Sequence, residues 1–213
     1  HMSWHGRRRD GYHHGNLRDA LVTAALDLLA KKGPTGFTFA EAARAAGVSA
    51  AAPYRHYRDR DDLMAEVARR GFELFATDLS KAWNEGRPTP LEAFYRMGKA
   101  YLTFARKEHA YYIAMFESQI PHSYTPELQK AADGAFGVLR EATAALAATL
   151  PPDRRPPSLM MSLHIWSMAH GIASLFGRGD EARRSLPMEP EELLEAGVLI
   201  YLDGLGFGKN SSA

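Results

Sequence analysis

The stretch Phe37 to Tyr57, FTFAEAARAAGVSAAAPYRHY, constrains the fold more than any other part of this chain. Thr38 is an N-cap residue type, and Glu41 three positions later offers the reciprocal bond of a capping box. Ala40, Ala42, Ala43, Ala45 and Ala46 then make a slim helix that a second helix can approach closely. Gly47 stands where a helix needs a left-handed residue after its end, and Val48 supplies the apolar contact that follows. Ser49 is expected to start the next helix, which ends in Tyr54, Arg55, His56 and Tyr57. Pro53 has no N–H, so it costs little only inside the free first turn, which a cap at Ala50 rather than Ser49 provides. With either cap, Ala50–Tyr57 is roughly two turns at most. A helix, a glycine turn and a helix tipped with aromatics and a cation form the pattern of a DNA-binding helix-turn-helix.

The rest of the chain is consistent with that head. Ala-rich helical periodicity runs throughout and long strand-type alternation is absent, so an all-α fold is expected. With no cysteine, neither a disulfide framework nor a thiolate metal site can form. No apolar run approaches the roughly 18 residues of a membrane span, and no secretory signal is visible. A cytoplasmic protein with no membrane partner is the expectation. His1-Met2 reads as an expression scar. Net charge is +1, but residues 1–70 hold 12 Lys/Arg against 8 Asp/Glu, while the remainder holds 14 against 17. That split suits a polyanion-binding head on a neutral or acidic body.

Taken in order, residues 1–15 read as a flexible basic arm, whose Arg7, Arg8 and Arg9 either enter a minor groove or stay solvated. A helix from Asn16 to Lys32 carries Leu17, Leu21, Ala24 and Leu28 on one face and should complete a three-helix head over residues 16–62. Asp59 and Asp62 open a long helix to about Asn84. Helices are expected at 91–107, 109–119, 126–150, 158–177 and 190–205, with a stiff PPDRRPP linker at 151–157. Residues 63–207 would form one helical bundle that binds ligand and dimerises, with 208–213 a disordered tail. Tyr101, Phe104, Tyr111, Tyr112, Met115, Phe116, Met161, His164, Trp166 and Met168 supply soft apolar lining with a few polar groups to orient a guest. The last two helices are unusually apolar. Trp166, His170, Ala173, Gly177, Leu194, Val198, Tyr201 and Leu202 are the expected dimer interface, a four-helix bundle across a two-fold axis. His164 and His170 have no nucleophile elbow, phosphate loop or HExxH beside them, so neither catalysis nor a metal or other cofactor is expected.

The run from His14 to Leu29 and on from Phe37 to Phe72 resembles the DNA-binding domain of TetR-family transcriptional regulators. Trp166-x-x-x-His170-Gly171 resembles the WHG-type ligand-binding domain that some of these regulators carry. The resemblance implies a homodimer on a palindromic double-stranded DNA operator, usually repressing, and released by a small-molecule inducer. It places DNA contacts on Thr38, Ser49, Ala50, Ala51, Tyr54, His56 and Tyr57, and a phosphate contact on Arg60. Arg55 joins them as the one long cation of Ala50–Tyr57. Of the two tyrosines, Tyr54 is expected to be the more exposed. Direct base readers are few, so site choice would lean on apolar contacts, phosphate positioning and DNA shape. An uncharged or weakly polar ligand is preferred, because few charges interrupt the apolar lining. Two alternatives stand beside this reading: a ligand-blind DNA-binding dimer, and a small-molecule binding protein whose head no longer binds an operator.

Overall fold

The computed structural model describes residues 10–177 and 186–208, with side chains from Asn16 onward. The expected basic arm of Arg7–Arg9 and residues 209–213 of the tail lie outside the described residues. Eight α-helices follow one another among the described residues: α1 Asp10–Lys32, α2 Phe39–Ala45, α3 Arg60–Trp83, α4 Pro90–Lys107, α5 His109–Phe116, α6 Pro126–Ala147, α7 Ser158–Phe176 and α8 Pro190–Gly204. The fold is all-α, and no strand occurs among the described residues. Helix α1 begins at Asp10, ahead of the Asn16 cap that the sequence suggested.

The chain forms two compact units. The first holds the residues up to Gly71 together with 110–129, and the second holds 72–109 and 130 onward. Helices α3, α5 and α6 therefore each contribute to both. The segment 110–129 belongs with the first unit although the sequence reading assigned it to the bundle.

In the first unit, Leu21, Ala25 and Leu29 of α1 are fully buried, together with Ala42 of α2 and Leu63, Met64 and Val67 of α3. Polar clasps on the same helices add direction to this core. Arg70 donates to Asp19 on α1 (2.9 Å) and to Glu66 (3.0 Å), and Arg69 also donates to Glu66. Burial by itself would raise the Glu66 carboxyl, but hydrogen bonds from Arg69 and Arg70 reverse this and hold it below the usual range. Gly71 lets α5 come close, since a Cβ there would lie 2.7 Å from the Met115 sulfur.

In the second unit, α4, α7 and α8 pack mutually. Phe94, Met97, Leu102 and Phe104 of α4, Met161 and Ile165 of α7, and Leu194, Val198 and Leu202 of α8 form its core. Where α6 meets α7 the buried Thr143 and Ser162 hydroxyls pair with each other at 2.6 Å. Arg155 turns back from the linker to donate to the carbonyls of Leu150 (2.9 Å) and Ala148 (3.2 Å), covering the end of α6.

Helix α7 corrects one expectation. Ser158–Phe176 is by length and composition long and apolar enough to cross a membrane. It nevertheless serves as a bundle helix, packed on α4 and α8 and hydrogen-bonded through Ser162 and Trp166.

Candidate DNA-binding site

The helix-turn-helix is built as its caps require. Thr38 Oγ1 accepts the Glu41 N–H (3.1 Å), and the Glu41 carboxylate accepts the Thr38 N–H (3.0 Å), closing the capping box of α2. Lys32 pairs with that same carboxylate. At the other end Gly47 has φ +74°. Its N–H reaches Arg44 O (3.1 Å), and the Val48 N–H reaches Ala43 O (3.0 Å), which is the Schellman pattern.

The second helix is shorter than its residues suggested. It is one 3₁₀ turn, Ala52–Arg55, capped by Ala51 with no side-chain bond, rather than a helix from Ser49 or Ala50 to Tyr57. Pro53 is the cause: without an N–H it must fall in the first turn, and the chain leaves the helix within a residue or two. The Pro53 carbonyl accepts from both His56 and Tyr57 (3.0 Å each), which ends the turn.

This short turn divides its side chains cleanly. Ala52 and Pro53 are buried, while Ser49, Ala50, Ala51, Tyr54 and Arg55 face solvent. Tyr54 is 63% exposed, and its ring is braced edge-on by Phe39 of α2 at 4.9 Å between centroids. Tyr57 is only 4% exposed and lies under the Arg18 guanidinium at 5.3 Å. Its hydroxyl has no hydrogen-bond partner among the described residues, and burial pushes its pKa up. Tyr57 is thus a core anchor and not a surface group offered to DNA. His56 is half-buried.

Arg60 also differs from expectation. Its Nε donates to Phe37 O (2.9 Å), Nη2 to Thr35 O (3.1 Å) and Nη1 to Asp61 (3.3 Å), with the guanidinium over the Phe37 ring. Two of these bonds hold the loop before α2 and the third stays within α3. The exposed cations beside the turn are Arg44, Arg55 and Arg58. Arg58 is clamped by Asp62, which also accepts from Tyr124 (2.8 Å). The i,i+4 spacing of Arg58 and Asp62 is a readable signal, but nothing local marks Tyr124, which comes from 62 residues further along.

The residues expected to line a ligand site divide between the units: Tyr111, Tyr112, Met115 and Phe116 in the first, and Tyr101, Phe104, Met161, His164, Trp166 and Met168 in the second. Tyr112, Met115, Phe104 and Met161 are fully buried core. In the second unit, Trp166 Nε1 donates to Tyr101 Oη (3.1 Å), and that hydroxyl lies 3.2 Å from His170 Nδ1. Having accepted from Trp166, the hydroxyl has its one hydrogen to give to His170. His164 bonds to Tyr201 Oη (2.8 Å). A cavity of about 220 Å³ in the same unit is lined by Thr89, Pro90, Leu91, Leu146, Thr149, Phe207 and Gly208, none of them in the expected set.

The residues expected to form a dimer interface lie mostly on the inward face of α7 and α8. Ala173, Gly177, Leu194, Val198 and Leu202 are buried within the second unit, and Trp166 and His170 bond inward to Tyr101. The apolar residues left uncovered are Leu159, Met160, Leu163 and Leu175 on α7 and Leu199 and Ile200 on α8, with Ile200 74% exposed. Helix α7 has no charged residue and the acids of α8 lie toward its two ends, so periodicity alone did not say which side turns inward.

An exposed aromatic and a cation on a capped glycine turn, carried on an all-α chain, define a helix-turn-helix DNA-binding protein with a helical second domain. Two family models match: residues 21–67 fit the bacterial regulatory proteins of the tetR family, and residues 94–200 fit the tetracyclin repressor-like C-terminal domain. The chain belongs to the TetR family of transcriptional regulators.

Similar solved structures include a protein of unknown function from Rhodococcus sp. RHA1, 26% identical with a TM-score of 0.73, covering 92% of this chain and 98% of that one. The TetR-family regulator PfmR from Thermus thermophilus is 19% identical with a TM-score of 0.64, covering 87% and 96%. A tetR-family regulatory protein from Rhodococcus RHA1 is 18% identical with a TM-score of 0.66, covering 89% and 96%. Comparison with curated proteins finds no match.

Proposed function

We propose that this regulator is a homodimeric repressor that binds a palindromic operator and is released by a small, mostly apolar ligand. The observation that carries the DNA-binding part is the solvent-facing set Ser49, Ala50, Ala51, Tyr54 and Arg55, held up by the buried Ala52, Pro53 and Tyr57. Small residues at the start of the turn let the backbone approach base edges or thymine methyls, and Tyr54 offers a hydroxyl beside them. Dimerisation is supported by the uncovered apolar side chains of α7 and α8, an arrangement that a second copy would cover. Two heads in such a dimer would meet major grooves about 34–36 Å apart, or a multiple of that turn. The ligand part rests on the Tyr101–Trp166–His170 group, a polar anchor among apolar neighbours.

The test begins with duplexes selected from a random pool on the full-length protein, followed by anisotropy titration. Tyr54→Ala should weaken binding about tenfold or more, at the lower end of what a lost base contact costs, with dimer mass unchanged. Equal affinity of variant and parent would remove Tyr54 from the interface. A reporter driven from the selected site should fall on expression of the protein.

A second reading, a ligand-blind DNA-binding dimer, is favoured by the complete burial of Phe104, Tyr112, Met115 and Met161, which makes them filled core. A thermal-shift screen separates the two. A ligand at about 100 times its Kd stabilises by about 2.7 kcal/mol and raises Tm by several degrees. No shift from any uncharged aromatic or aliphatic compound favours the ligand-blind form.

A further inference from the structure

The start of α3 carries two arginines with different occupations. Arg60 donates from all three guanidinium nitrogens, to Phe37 O, Thr35 O and Asp61. Three of its five N–H donors are thus engaged inside the head, and its side chain is 31% exposed. Arg58, two residues earlier and directly after the reading turn, has a side chain 81% exposed. Its Nε donates to Asp62 Oδ2 (2.9 Å) and its Nη2 to Asp62 Oδ1 (3.1 Å). Nη1 has no partner among the described residues. The guanidinium is therefore oriented on one edge and open on the other.

The orienting carboxylate is itself fixed from three directions. Asp62 Oδ2 also accepts the Arg58 backbone N–H (2.9 Å), and Oδ1 accepts the Tyr124 hydroxyl (2.8 Å). Tyr124 sits in the turn between α5 and α6, within the same compact unit. The remaining acids here have other tasks. Asp59 Oδ1 accepts the Asp62 N–H (3.0 Å) at the start of α3, and Asp61 pairs with Arg60. Hydrogen bonds from Arg58 hold the Asp62 carboxyl at about 2, so the clamp stays ionised wherever the protein works.

We propose that Arg58, and not Arg60, is the phosphate-contacting cation at the start of α3, with Asp62 and Tyr124 as its positioning residues. An arginine held in one rotamer by a bidentate carboxylate has already lost the side-chain freedom that binding a phosphate would otherwise remove. Its open edge keeps donors for a phosphate oxygen. Arg60 then belongs to the scaffold of the head. The assignment rests on the DNA-binding reading above.

The test uses the full-length protein and a labelled duplex selected on the parent, titrated from about 50 to 200 mM salt. Arg58→Gln should lower the slope of log K against log salt by about one per head. Arg60→Gln should leave that slope at the parent's value and lower Tm instead. Tyr124→Phe should weaken binding about three- to tenfold, less than the full worth of a charge-assisted hydrogen bond because the site is wet, and should add nothing in an Arg58→Gln background. An unchanged slope in Arg58→Gln, or a slope loss in Arg60→Gln, overturns the contact assignment while leaving DNA binding intact. An undiminished Tyr124→Phe effect in the double variant overturns the positioning role. A parent that retains no duplex from the pool overturns the DNA-binding reading and this assignment with it.

Discussion

Three glycines of the first unit separate what backbone conformation and packing each contribute to the head. Gly47 has φ +74° with no atom within 4 Å of where a Cβ would stand. Gly47→Ala therefore meets no clash and changes stability through the backbone alone. Holding an L-residue in the left-handed region costs about 1–2 kcal/mol, while the stiffer unfolded chain returns about 0.4–1 kcal/mol. The net is a loss of about 1 kcal/mol, and Gly47→Asn should lose less because Asn tolerates that region. Gly36 has φ +72°, and its Cβ would also stand 2.7 Å from Arg60 Nη2. Moving that guanidinium sacrifices its bonds to Thr35 O and Phe37 O, worth about 1 kcal/mol each, so Gly36→Ala should cost about 2–3 kcal/mol. At Gly71 the φ is ordinary, but a Cβ would lie 2.7 Å from Met115 Sδ and 3.2 Å from Tyr111 Cδ1. Overpacking of this kind costs about 1–3 kcal/mol. Urea unfolding of the parent and variants, compared by midpoint at constant m, reads these losses, and each kcal/mol moves Tm by about 2–4 °C at this chain length. A Gly47→Ala protein as stable as the parent would refute the backbone argument. A Gly36→Ala loss no larger than that of Gly47→Ala would refute the Arg60 clasp.

Three further outcomes are open to measurement. Thr38→Ala opens the capping box of α2 and should cost about 1 kcal/mol by urea midpoint, with Thr38→Ser close to the parent. Asp62 is held at about 2 against an ordinary 3.8, first by the Arg58 hydrogen bond. A lowered carboxyl pKa stabilises the fold above the unfolded value and loses that effect as pH falls through the folded one. The stability gap between parent and Asp62→Asn should therefore be constant above about pH 5, shrink through pH 4 to 2, and close below that. A gap that does not vary across this range would refute the role of ionised Asp62. Ile200→Asp puts a charge on the uncovered face of α8 and should shift the mass in sedimentation from dimer to monomer at micromolar concentration, whereas an unchanged dimer would move the interface elsewhere.

Much of the DNA-binding head was legible because its determinants are local. A capping box and a Schellman turn each engage residues three to five apart, so Thr38, Glu41 and Gly47 declare themselves in sequence and the structure keeps all three. Helix ends marked by Pro and Gly were found for the same reason, and α4, α6, α7 and α8 begin within a residue of their expected starts. Tyr54 was expected to be the more exposed of the two tyrosines and is so, at 63% against 4% for Tyr57, although the resemblance had placed both at DNA.

Tertiary structure decided which groups are free. The sequence determined that Arg58 and Arg60 stand at the start of a helix, but not that Arg60 would turn back to the carbonyls of Thr35 and Phe37. Nor did it show that a tyrosine 62 residues beyond Asp62 would complete the clamp on Arg58. It likewise determined that α7 and α8 are rich in apolar residues, while only packing against α4 chose which side is core and which is left uncovered. The physical reason is range. Caps and turns are closed by neighbours in the chain, whereas the occupation of a donor and the outer face of an apolar helix are set by residues that only folding brings near.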